Sequence, residues 1–195
     1  MSAQRWWWVR HAPTLAPPGT LAGRGSDLPA DLSDIGRLAA LAARLPAGAR
    51  ALATPLRRSR ETAAALGLAA PRLEPDFAEQ DFGAWDGRRH DELAGLDPAG
   101  TAAFWANPAH HAPPDGESFA AMAERVAARI AALAAAGAEG DLIVVAHAGP
   151  IRAGIALALD LAPQAALRLS VAPLSLTRLD FVAGAWRVEG VNWGG

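Results

Sequence analysis

Apolar and polar positions follow two rhythms along this chain. Residues 5 to 9 carry the unbroken apolar run Trp6-Trp7-Trp8-Val9. It reads as a short strand covered on both faces of a sheet. A loop rich in Pro and Gly follows, from Pro13 to Asp31. Ser33 then reads as a helix N-cap, with Ile35, Leu38, Leu41, Ala42 and Leu45 as the apolar face and Pro46 and Gly48 as the stop. Residues 50 to 53 are a second strand. Thr54 is placed as the cap of a helix that runs to about Gly67, and Arg72 to Glu74 as a short strand.

The segment from Phe77 to Asn107 shows no sustained period and predicts short helical pieces around Glu92 and Phe104. Residues 108 to 116 form a loop. A long helix is predicted over Glu117 to Ala136, because Met122, Val126, Ile130 and Leu133 recur at helical spacing and Gly137 and Gly140 close it. Leu142 to Ala146 is another buried strand, and Gly149-Pro150 opens a further helix. From about Leu167 the pattern turns to strands, with Ala183-Gly184 as a hairpin. Strands alternating with helices predict an α/β three-layer sandwich, a mostly parallel central sheet with helices on both faces.

Composition narrows the class. The 195 residues are 51% apolar and 19% charged, which excludes a disordered chain and predicts a single domain over residues 1–195. A formal net charge of -2 does not favour a nucleic-acid or anionic membrane surface, so any anion site must draw on local positive charge. There is no cysteine, which rules out disulfides, thiolate catalysis and zinc–sulfur sites. The start Met1-Ser2-Ala3-Gln4-Arg5 lacks the pattern of a signal peptide, and Arg152 and Asp160 interrupt the most apolar later stretch. A cytoplasmic, soluble protein is expected.

The chemistry concentrates at strand ends. Two buried strands finish in histidine, Val9-Arg10-His11 and Val145-Ala146-His147. If they are parallel neighbours, both imidazoles meet at the carboxyl edge of the sheet, where α/β proteins usually bind ligands. Arginine matches phosphate oxygens through paired hydrogen bonds, and histidine is a nucleophile near neutral pH. Arg57, Arg58 and Arg60 lie in the first turns of a helix, whose N-terminus itself favours an anion. Arg57 and Arg60 also suit a solvated face beside Glu61. The segment from Glu79 to Gly87 holds Glu79, Asp81 and Asp86 among Phe82, Trp85 and two glycines. A shielded carboxyl there can serve as a general acid.

Taken together, these segments resemble the histidine phosphatase superfamily, the phosphoglycerate mutase-like proteins. The family's opening Arg-His-Gly-x-Thr is similar to Arg10-His11-Ala12-Pro13-Thr14. Its Ser-Pro-Leu-x-Arg-Ala-x-x-Thr-Ala is similar to Thr54 through Ala63, with Arg58 as the matching arginine. Its Glu-x-x-Phe-Gly-x-Trp-Glu-Gly is similar to Glu79 through Gly87. Gly116-Glu117-Ser118 matches the stretch before the long helix, and the late His-Gly-Gly-x-Ile-Arg resembles His147 through Arg152. The motifs come in the family's order and span nearly the whole chain.

The resemblance implies a cofactor-independent phosphomonoester hydrolase. His11 would attack the phosphoryl group, with Arg10, Arg58 and His147 holding its oxygens, and His147 acting as a cation. Glu79 would protonate the leaving oxygen and then help activate water. Thr14, Arg24, Ala148 and Arg152 are the further substrate or phosphate contacts. No metal and no cofactor is implied, since arginines and His147 supply the charge. The partner would be a small phosphorylated metabolite, with no nucleic acid and no membrane; a homodimer is compatible. Within the family the chain most resembles the α-ribazole phosphatase branch of cobalamin synthesis.

Mutase chemistry is the alternative. The chain ends soon after its last strand, without the insertions and tail that cover the site in the longer mutases, so hydrolysis is expected. A catalytically idle phosphate-binding module is the other alternative. Ala12 and Ala148 replace family glycines, Thr54 replaces serine, and the segment from Asp27 to Leu32 is longer than the family's connection, which predicts a remodelled loop there. His110-His111 and His90 read as loop and surface residues, and the three tryptophans as core.

Overall fold

The computed structural model describes residues 3–137 and 139–194; Met1 and Ser2, which belong to the leader reading, lie outside them. Its six strands are β1 (Ala3–Arg10), β2 (Arg50–Ala53), β3 (Arg72–Leu73), β4 (Gly140–Ala146), β5 (Leu176–Val182) and β6 (Ala185–Trp193), in the order β3-β2-β4-β1-β5-β6. β3, β2, β4 and β1 run parallel, and β5 and β6 add an antiparallel hairpin. The hairpin turn is Ala183-Gly184, both with positive φ (51° and 83°), which matches the twist of the flanking strands.

Strand alternation explains the two cores. Trp6 and Trp8 point to one face with Leu142, Val144 and Phe77. There they pack against α5 (Phe119–Ala135) and α6 (Ala148–Leu159). Trp8 meets Phe77 edge-on at 5.0 Å. Fully burying one such aromatic removes about 150–250 Å² from water, on the order of 4–6 kcal/mol before entropy. Val9, Ile143 and Val145 face the other way, onto α1 (Ile35–Ala42) and α2 (Arg57–Ala65). Trp7 shares that side. Its indole N–H donates to Asp141 (2.8 Å), and the Arg178 guanidinium lies 4.6 Å from its ring centre. The three-layer sandwich is the architecture observed.

Several local expectations shift. α1 is capped by Asp34, which accepts from Arg37 N–H, and not by Ser33. Both are good caps, and Asp34 stands next to the first turn. The helix ends at Ala42, its Ile35 is exposed, and Leu45 packs on from the following turn. α2 begins after Leu56 with no side-chain cap, so Thr54 is not its cap. α3 (His90–Leu96) and α4 (Pro98–Ala106) are the short pieces predicted inside the irregular stretch. The four-residue α7 (Pro163–Ala166) had no sequence signal. α5 is capped by Ser118, whose side chain accepts from Ala121 N–H. No helix among the described residues is long and apolar enough to cross a membrane.

The parallel register places the site. Arg10 pairs with Ala146 and Ala53 with Val145, so β1, β4 and β2 end together. His11 and His147 follow β1 and β4 directly, and Thr54 follows β2.

Candidate active site

The two strand-end histidines meet as their register requires. His11 N–H donates to Ala146 O (2.9 Å), and the two imidazoles stand edge to face with centres 4.9 Å apart. Both are buried. His11 Nδ1 lies 2.5 Å from the carbonyl of Ala12. A carbonyl only accepts, so Nδ1 carries the proton and Nε2 is left as a neutral lone pair. Ala12 is itself held by Thr62, whose hydroxyl accepts from Ala12 N–H (2.9 Å) and donates to Arg58 O (2.7 Å). Neither Ala12 nor Ala148 has positive φ, so the alanines fit where the family has glycines.

His147 is the N-cap of α6, and its Nε2 lies 2.8 Å from the hydroxyl of Thr54. The floor beneath them is fixed by Ser59, whose hydroxyl donates to Val145 O (2.5 Å) and accepts from Thr54 N–H (3.2 Å).

Arg10 and Arg58 act on the pair, and Arg152 acts on Arg10. Arg58 is wholly buried and donates to the carbonyls of Ser26 (2.6 Å), Ala22 (3.0 Å) and Gly23 (2.9 Å). Arg10 donates to Val171 O (2.5 Å), and Arg152, one turn into α6, to Leu169 O (2.9 Å). Arg10 Nε, Arg58 Nε and His147 Nδ1 are buried with no hydrogen-bond partner among the described residues. A buried polar atom left so costs about 1–3 kcal/mol, and three in one site call for a ligand.

Glu79 is the counter-charge. Its Oε2 accepts from Gly149 N–H in the first turn of α6 (3.3 Å) and its Oε1 from Gln80 N–H (3.0 Å). Only glycine at 149 permits this approach, since a Cβ there would stand 2.1 Å from Glu79 Oε1. The charge of Glu79 reaches Arg10, Arg58 and Arg152, opposing the burial that lowers all three. They remain cations, because guanidinium does not lose its proton in proteins.

The imidazoles respond in the opposite sense. Burial first, then the charges of Arg58 and Arg10, hold His11 down at about 3. Burial, then His11, Arg58 and Arg10, push His147 well below its ordinary value. Without a bound phosphate, burial among the arginines thus disfavours the cationic form of His147 that the sequence suggests.

The remaining expected contacts divide. Ala148 lies at the first turn of α6 beside the histidines. Thr14 is taken up in a bridge with Ala30, and Arg24 is exposed, its backbone N–H donating to Gln80 O (3.0 Å). The long segment from Asp27 to Leu32 is tied to α2, with Arg57 N–H donating to Asp27 (2.6 Å) and Ala30 N–H to Glu61 (2.8 Å). Arg57 pairs with Glu61 at 2.6 Å on the outer face of α2, and Arg60 is exposed.

One organising residue carries no role of its own in the sequence pattern of the Glu79 to Gly87 segment. Asp86 accepts from Gly23 N–H (3.0 Å), Gly25 N–H (2.6 Å) and the Ser26 hydroxyl. It thereby shapes the loop whose carbonyls hold Arg58. Its place in an acid-rich, glycine-flanked segment was the available signal; its partners, about sixty residues away, were not. Among the described residues no cluster of three or more His, Asp or Glu side chains could hold a metal ion.

Beside Glu79 opens a pocket of about 400 Å³, walled by Phe82, Phe104 and Phe119 and by Arg152 at one end.

Comparison with known proteins agrees with this geometry. Residues 6–194 match the model of the histidine phosphatase superfamily (branch 1). A bifunctional protein of Mycobacterium tuberculosis is 34% identical over 192 residues, which is 94% of this chain and 52% of that protein. The chain thus spans about half the length of the curated mycobacterial relatives it matches. The adenosylcobalamin/alpha-ribazole phosphatase of Salmonella typhimurium is 32% identical over 84% of this chain and 83% of its own. The crystal structure of the alpha-ribazole phosphatase from Shigella flexneri superposes with a TM-score of 0.86 at 25% identity, covering 96% of both chains.

Proposed function

The chain belongs to the histidine phosphatase superfamily, and on that premise we propose that it hydrolyses phosphomonoesters through a phosphohistidine at His11. The observation that carries the reading is the arrangement of His11. Its Nδ1 is committed to Ala12 O, its Nε2 is a neutral lone pair with no hydrogen bond among the described residues, and unpaired buried donors of Arg10, Arg58 and His147 lie in the same site.

His11 Nε2 attacks phosphorus while the bond to the alcohol oxygen breaks. Glu79 passes to that oxygen a proton taken up from solvent as the substrate binds. Water then attacks the phosphohistidine, Glu79 takes the proton back, and the P–N electron pair returns to His11. Arg10, Arg58 and the first turn of α6 face the charge on the equatorial oxygens, the main demand of phosphoryl transfer. A bound phosphoryl dianion also opposes the arginines and raises the proton affinity of His147, so His147 becomes a stronger donor when substrate is present.

Among small phosphorylated metabolites, α-ribazole 5′-phosphate is the substrate we favour, which would place the chain in cobalamin synthesis. The likeness to the Salmonella and Shigella phosphatases supports it. The test is kcat/KM across a panel holding α-ribazole 5′-phosphate, glucosyl-3-phosphoglycerate and phosphoglycerates. The reading expects α-ribazole 5′-phosphate to lead; a leading phosphoglycerate would overturn it.

A further inference from the structure

The pocket next to Glu79 has two unlike ends. Its fixed charges among the described lining residues are Glu79 and Arg152. Both lie at the phosphate end, because Arg152 acts electrostatically on Arg10 and Glu79 acts on Arg152. The far wall comes from Leu21, His90, Phe104 and Trp105. Trp105 is 57% exposed, an unusual state for so large an apolar ring. Its geometry is nonetheless held. It meets Phe104 edge-on at 5.4 Å, Phe104 meets the buried Trp85 at 5.4 Å, and His90 lies 5.8 Å away at a tilt of 40°. A rigid, half-wet aromatic wall costs little ordering entropy when a ring settles on it.

We infer that this wall is a ring-binding subsite. Resting on the phosphatase reading, it selects phosphomonoesters whose alcohol carries an uncharged planar aromatic ring, with Trp105 as the stacking face and His90 beside it. The volume of about 400 Å³ suits one ring system and its linker. An alcohol bearing a carboxylate would have to leave water for a wall without a fixed cation, and among the described lining residues only Arg152, already bonded to Leu169 O, could meet it. Trp105 acts on binding and placement of the alcohol and takes no part in the chemical step.

The experiment compares 2-phenylethyl phosphate, 2-cyclohexylethyl phosphate and 3-phosphoglycerate. The first two have similar leaving oxygens and bulk but differ in flatness. In the intact protein 2-phenylethyl phosphate should have the highest kcat/KM. Trp105→Ala should lower it about tenfold, mainly through KM, while Trp105→Phe keeps most of it. Turnover of 3-phosphoglycerate should change less than threefold, which a general structural defect would not spare. Equal losses on all three esters, or a wild-type preference for 3-phosphoglycerate, would overturn the subsite.

Binding of 2-phenylethylphosphonate, which cannot be hydrolysed, gives a readout independent of turnover. Its effect on tryptophan fluorescence should be present in the wild type and lost in Trp105→Phe. That result with no ester turned over would sink the phosphatase reading and keep the subsite. Turnover with a phosphonate signal indifferent to Trp105 would do the reverse.

Discussion

The hydroxyl of Thr54 lies 2.8 Å from Nε2 of His147, with both side chains fully buried at the ends of β2 and β4. This contact orients a histidine whose Nδ1 has no partner among the described residues. With the hydroxyl donating to Nε2, Nδ1 carries the proton and is a donor for a phosphoryl oxygen.

Thr54→Val keeps the shape and removes the bond. We expect kcat/KM for an aryl phosphate to fall about tenfold, the value of one buried hydrogen bond near 1.4 kcal/mol, with Thr54→Ser close to wild type. Steady-state kinetics check it; equal activity in Thr54→Val would detach Thr54 from the chemistry.

Asp86 acts through the loop of residues 22–26. Its two oxygens accept from two backbone N–H groups and one hydroxyl, and an amide has a single accepting oxygen. Asp86→Asn should therefore loosen the carbonyls that hold Arg58 and weaken inhibition by inorganic phosphate about tenfold, with the thermal midpoint little changed. Unaltered phosphate inhibition would mean that Arg58 is positioned without the loop.

Stability should depend on the two buried imidazoles. Both are neutral in the folded protein well below pH 6.5, with His11 at about 3, whereas in the unfolded chain they titrate near 6.5. Below 6.5 the unfolded state gains protons that the native state does not. Stability fully present above pH 6.5 is thus lost as pH falls toward the native values. At 1.36 kcal/mol per unit, His11 accounts for about 2 kcal/mol between pH 6.5 and 5, and His147 adds in the same direction. Urea unfolding at both pH values measures this, and His11→Asn should reduce the difference. A midpoint indifferent to pH over that range would contradict the buried neutral pair.

Glu79 bears on the leaving group. Glu79→Gln should slow esters of alkyl alcohols by about a hundredfold or more and nitrophenyl phosphate far less, because a good leaving group needs no proton. Parallel slowing of both would count against proton donation by Glu79.

The chain displays much of this design in its local pattern. Buried strands show as unbroken apolar runs, so the pattern sets both histidines at strand ends, side by side once the strands are parallel neighbours. The face of α5 was equally legible, from Met122, Val126 and Ile130 at helical spacing. What stayed hidden depends on distant partners. Thr54 between a strand and a proline looks like a cap, but its partner is 93 residues away. Asp86 is one acid among three in its segment until the 22–26 loop folds onto it. The lowered proton affinity of His147 follows from its burial and from His11, Arg58 and Arg10 on separate segments, which no window of sequence contains. Trp105 sits in a stretch without period, and only the fold makes it a wall.

The most direct measurement is to quench the protein in mid-turnover with an aryl phosphate and map acid-labile phosphate by peptide mass spectrometry. The account predicts a phosphoryl group on the peptide containing His11, formed before steady state and released to water at the rate of turnover. The His11→Ala variant should show neither label nor turnover while keeping its fold. Turnover without any labelled histidine, or label on His147 with His11→Ala still active, would contradict it.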